Sequence, residues 1–141
     1  MGGEQDDSPS DFGTEEALSV LLHAIRSSRR RWVIQLLEAQ SQTPVTTRNL
    51  ARQIAGRETG TEPGQVSGRE YKNVYNALSQ THLPTLDDAE VIVYCPQRQV
   101  VVKGPLFDLA ALMLKINQPL IEALYGWSRL KSDFEMGHNR S

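Results

Sequence analysis

The chain has a single cysteine, Cys95, among 141 residues. One thiol excludes a disulfide framework, and any thiolate metal cluster, within one copy. No uncharged apolar run approaches the roughly 20 residues that a membrane span needs. The first sixteen residues contain no base, unlike the positive start of a secretory signal. The expectation is a soluble, cytoplasmic protein. Neither GxxxxGK[ST] nor a strand-following GxGxxG is present, which argues against nucleotide cradling. His23, His82 and His138 are scattered, and Asp87-Asp88 reads as a helix-end pair rather than an acid/base couple. Nothing assembles a nucleophile, a base and an oxyanion donor. We therefore expect a non-enzyme with no cofactor, no metal and no evident small-molecule ligand.

What the chain does have is polarised charge. Its net charge is only −2, yet residues 1–16 carry six acids (Glu4, Asp6, Asp7, Asp11, Glu15, Glu16). Residues 17–82 carry nine bases against four acids. A basic centre behind an acidic arm suggests an anionic partner.

Residues 1–13 have too little apolar content to pack and are expected to form a disordered acidic arm. Thr14 is a plausible N-cap for a first helix burying Leu18, Leu21, Leu22 and Ile25, with Glu15 and Glu16 in its first turn. Ser27-Ser28 breaks it and caps a second helix with Val33, Leu36 and Leu37 inside. Thr43-Pro44-Val45 is an extended connector. A third helix starts after Thr46, buries Leu50 and Ile54, and is expected to stop near Gly56. After a Gly/Pro-rich loop at 57–68, a fourth helix runs from about Arg69 on an apolar face of Tyr71, Val74, Tyr75 and Leu78, until Pro84 ends or kinks it. Val91–Cys95 and Gln99–Lys103 are β-branched runs joined by Pro96-Gln97-Arg98, the pattern of a hairpin. Helix, helix, short strand, helix, helix, hairpin is the winged-helix order. The expected class is mainly α with a small β-hairpin: a winged helix-turn-helix domain over 14–104, an apolar helix or helix pair over 105–131, and a flexible tail over 132–141.

Removing the apolar stripe from the fourth helix leaves Arg69, Lys72, Asn73, Asn76 and Gln80 at i, i+3, i+4, i+7 and i+11, a single outward face. Arg and Lys suit guanine or phosphate, and Asn and Gln suit the adenine edge. Arg98 falls at the hairpin tip, where a wing meets backbone. Arg29-Arg30-Arg31 puts three cations in a helix's first turn, each costing roughly 0.3–1 kcal/mol against the dipole. Phosphates or the acidic arm would offset them, unless the three are simply solvated or paired locally. Arg48 and Arg52, one turn apart, are further candidate phosphate contacts. The expected partner is double-stranded DNA.

From Leu106 a heptad count puts Leu106, Leu109, Met113, Ile116, Leu120, Ala123, Trp127 and Leu130 at a and d, and Leu124 also joins the apolar surface. So apolar a segment calls for a partner helix, and a second copy of the chain is the simplest supplier, which predicts a homodimer.

Three blocks, Ile25–Leu37 (IRSSRRRWVIQLL), Val45–Ile54 (VTTRNLARQI) and Tyr71–Val93 (YKNVYNALSQTHLPTLDDAEVIV), resemble a haloarchaeal winged-helix domain of largely uncharacterised regulators and, more distantly, the ArsR-like winged-helix repressors. The resemblance spans about residues 15–104, and Thr81–Val91 is its most specific part. It implies a DNA-binding transcriptional regulator. The metal ligands of the metal-sensing relatives are missing, so no sensor site is carried over. Glu90 stands where such domains usually have Gly, which implies a different turn or a strained one. Asn49 stands where an acidic capping partner for Thr46 is expected.

Overall fold

The computed structural model describes residues 7–116. Its helices are α1 (Asp7–Ala24), α2 (Ser28–Ala39), α3 (Thr47–Thr59), α4 (Gly68–Ala77) and α5 (Leu83–Asp88), and its strands β1 (Val45–Thr46), β2 (Ile92–Cys95) and β3 (Val100–Lys103). The chain is mainly helical with one small antiparallel sheet, ordered β1-β3-β2. Val45 and Thr46 pair with Val101 and Val100, so the expected connector is the third strand of the sheet. The hairpin register sets Val93 opposite Val102 and Cys95 opposite Val100.

Two compact units are distinguished, Met1–Ala111 and Leu112–Ser141. In the first, residues 107–111 are helical, and Phe107 and Ala110 are buried, so part of the expected appended segment packs with the domain. In the second, residues 112–116 are helical.

Capping explains the helix starts. The hydroxyls of Ser27, Thr46 and Ser67 each accept a backbone N–H of the turn they precede, from Arg30, Asn49 and Glu70. At α4 the cap is reciprocal, since Ser67 Oγ also donates to the Glu70 carboxylate at 3.0 Å. The core unites Leu21, Val33, Ile34, Leu37, Leu50, Ile54, Leu78, Leu83, Leu86, Val91, Val101 and Phe107, all at most 2% exposed.

Three boundaries differ from the sequence reading. Helix α1 begins at Asp7, so residues 7–13 of the expected disordered arm are helical. Asp7, Ser8 and Pro9 suit a first turn, where N–H groups are unsatisfied and acids meet the positive dipole end. Residues 1–6 of that arm lie outside the described residues, as do 117–141 with the expected tail. Helix α3 passes Gly56 and stops at Thr59, where Gly60 takes the left-handed cap at φ 71°. Pro84 does not end the fourth helix cleanly: residues 78–82 form a π turn, with Leu83 N–H reaching Leu78 O, and α5 follows with Pro84 in its first turn. The wider turn accommodates a residue that lacks an N–H.

Helix α5 closes in a Schellman turn. Val91 N–H donates to Leu86 O and Glu90 N–H to Asp87 O, with Leu86 and Val91 packed inside. The left-handed position of that turn is Glu90, at φ 64°. The turn is therefore the ordinary one, strained by a side chain at a site that favours glycine. Glu90→Gly is expected to raise stability by about 1 kcal/mol, the left-handed penalty less the added freedom of the unfolded chain. Urea denaturation midpoints of the two forms check this.

Candidate nucleic-acid interface

The face of α4 is open. Arg69, Lys72, Asn73 and Asn76 of α4 and Gln80 of the π turn that follows are all exposed, while Val74 of α4 and Leu78 of the turn are buried. Glu70, the acid nearest this face, is engaged in the Ser67 cap. The surface thus offers two cations and three amides with no free carboxylate among them.

Tyr71 and Tyr75, expected inside, are only half-buried. Their rings lie 5.8 Å apart at 49°, and the Arg52 guanidinium sits over Tyr71 at 4.5 Å from its centroid. Arg52 is half-buried in this cation–π contact, which stitches α3 to α4. Arg48, one turn earlier, is exposed.

Arg98 is exposed at the tip of the β2–β3 hairpin. The turn behind it is held by Gln99, whose φ is 55°. Gln99 N–H donates to Cys95 O at 2.8 Å, and its carbonyl accepts Thr47 N–H at 2.9 Å. Its side-chain amide donates to Pro96 O and accepts the Tyr94 hydroxyl, both at 3.0 Å. Asp87 Oδ2 accepts the Tyr94 N–H. Sequence reasoning gave no such role to Gln99 and Tyr94 and read Asp87 only as a helix-end residue, yet the three hold the hairpin in place.

The Arg29–Arg31 run requires correction. Arg30 is 8% exposed and turns inward: Nε donates to Ala24 O at 2.6 Å, Nη2 to His23 O at 3.3 Å, and Nη1 lies 3.1 Å from His82 Nδ1. Arg31 donates to Ile25 O and Arg26 O. Arg29 forms a two-pronged pair with Glu58 of α3, at 2.6 and 2.9 Å. Burial removes Arg30 from the candidate phosphate contacts, and the half-buried Arg29 and Arg31 are paired locally, the alternative the sequence had left open. What offsets the charge of the three is the negative end of α1, whose last two carbonyls Arg30 caps, the link carbonyls just beyond it that Arg31 takes, and one carboxylate. The short link between α1 and α2 is the signal that could have revealed this, since it brings the first turn of α2 under the last turn of α1. Burial first, then the Arg30 and Arg29 charges, lower His82 from 6.5 to about 4.

Of the expected dimer surface, Leu109 and Ile116 are exposed, and Leu106 and Met113 are half-buried. Leu120, Leu124 and Trp127 lie outside the described residues. Gly13, Thr14, Ala17, Leu18, Leu21, Leu106 and Leu109 line an open, largely apolar groove of about 370 Å³. Leu18 and Leu22, expected inside, are nearly half exposed on the same helix. Among the described residues no His/Cys/Asp/Glu group could hold a metal ion, and no helix is long and apolar enough to cross a membrane.

A family model described as a domain of unknown function, DUF7344, matches residues 22–102, more than half of the chain. The chain belongs to this family. No curated protein and no solved structure matches it. The DUF7344 segment runs from the last three residues of α1 to Val102 in β3 and includes all of α4 and the hairpin turn, whereas the groove-lining Leu106 and Leu109 fall beyond it.

Proposed function

We propose that this DUF7344 protein is a sequence-specific, DNA-binding transcriptional regulator of the winged-helix type, akin to the ArsR-like repressors, acting in the cytoplasm as a homodimer. The observation that carries the reading is the exposed surface of α4, with Arg69, Lys72, Asn73 and Asn76, continued by Gln80 in the π turn, without a free acid on it. A helix with such a face, flanked by a wing bearing Arg98, suits a major groove, with the wing against backbone. The exposed apolar side chains of Leu18, Leu22 and Leu109 support pairing of two copies, which would match a two-fold operator.

Gel shift against genomic fragments, followed by titration of the tightest one, tests the reading. Asn73→Ala is expected to cost about tenfold on the preferred fragment and little on unrelated DNA, the loss of one bidentate base contact. The same apolar groove favours a second reading, a winged-helix module that binds another protein without touching DNA. Absence of any shifted fragment at low salt would select it.

A further inference from the structure

Arg48 at the start of α3, Tyr71 and Tyr75 on α4, and Arg98 and Gln99 at the wing turn line one cleft of about 330 Å³, with Thr46 completing the wall. None of these residues is acidic. Two of the polar groups are already used, since the Thr46 hydroxyl caps α3 and the Gln99 amide bonds Tyr94 and Pro96. The cleft's remaining charge is two guanidinium groups, exposed and without a carboxylate partner among the described residues. Two cations brought to one cleft by separate elements, with no anion between them, repel until something negative enters. The tyrosines are not loose: one packs on the other, and Arg52 covers Tyr71 from α3. Gln99, through Thr47 N–H, fixes the wing turn to the beginning of α3.

We propose that this cleft seats one phosphate group, gripped by Arg48 from α3 and Arg98 from the wing, with the Tyr71 and Tyr75 hydroxyls as supporting donors. The occupant is a phosphodiester of the DNA backbone at the point where α4 leaves the groove and the wing begins. This rests on the DNA-binding reading above. It replaces two independent phosphate contacts by one shared contact, and adds two tyrosines to the interface.

The test measures duplex affinity against salt for the full chain, Arg48→Ala, Arg98→Ala and the double variant. A phosphate held in common gives a double variant whose log K against log[salt] slope falls by about 0.9 per protomer. Two separate phosphates give a fall of about 1.8, which would overturn the shared seat while leaving DNA binding intact. Proton NMR of the tyrosine rings, assigned with Tyr71→Phe and Tyr75→Phe, supplies the second readout. Both rings shift when duplex is added to the wild-type chain; duplex binding that leaves them unmoved would also overturn the seat. Should no duplex bind, the DNA reading fails and inorganic phosphate alone decides. Ring shifts that vanish in the double variant keep the seat as a phosphate site, and rings unmoved by phosphate remove it.

Discussion

Arg30→Ala is expected to lower the stability of the fold by about 3–4 kcal/mol, and to leave duplex affinity of the folded protein unchanged. The guanidinium is buried between the carbonyls of His23 and Ala24 and the ring of His82. Truncation forfeits charge-assisted bonds and leaves the α1 carbonyls without donors, at about 1.5–3 kcal/mol for each bond to a charged group before relaxation. Arg48→Ala is expected to do the reverse, since Arg48 is exposed and unpaired among the described residues. Urea unfolding paired with duplex titration below the transition separates the two. Equal loss of affinity in both variants, with stability intact, would return Arg30 to the interface.

The same contact makes stability depend on pH. His82 is held at about 4 in the folded chain against 6.5 when exposed, so between those values the unfolded state binds more protons. Its contribution is complete above about pH 6.5 and is lost as the pH falls towards 4. Burial is the larger cause and the Arg30 charge the second, so Arg30→Ala should shallow this acid limb without abolishing it.

Gly104→Ala should be comparably damaging, costing about 3 kcal/mol or more. A Cβ at this position would stand 2.8 Å from Glu90 O, 2.9 Å from Ile92 N and 2.9 Å from Val91 C. All three are backbone atoms, so no side chain can swing aside. Gly104 N–H also donates to Val91 O, and Leu106 N–H to Glu90 O, which fastens the end of β3 to the Schellman turn. Relief of the clash must part the hairpin from α5. A thermal melt lowered by only a degree or two would show that the turn yields more easily than this packing implies.

Fold class was legible because its signals are local. Ser27, Thr46 and the Pro96 turn are chemical punctuation, and Leu50, Ile54, Val74 and Leu78 follow a helical period that tertiary packing did not override. The α4 face was legible for the same reason, being what remains once the stripe is assigned. The arginine run stayed open between phosphate and local pairing because its partners are distant in sequence or are backbone: Glu58 lies 29 positions away and His82 52. A charge count cannot distinguish a cation facing water from one closing a helix end. Tyr71 and Tyr75 fit an apolar stripe by spacing, yet a residue with a hydroxyl at its tip can border a cleft as readily as a core. In Thr81–Val91, His82, Leu83, Leu86 and Asp87 serve architecture, binding Arg30, filling the core and holding Tyr94.

Gln99 ties the hairpin turn to the first residue of α3 and to the Tyr94 hydroxyl, so the protein holds the elements that carry Arg98 and Arg48 at a set span, like a caliper with its screw tightened. On the DNA-binding reading, a duplex offering one phosphate to this fixed seat would have to supply the adjustment itself. Discrimination would then come partly from how readily a given stretch of base pairs narrows or bends to that gauge, at positions no side chain touches.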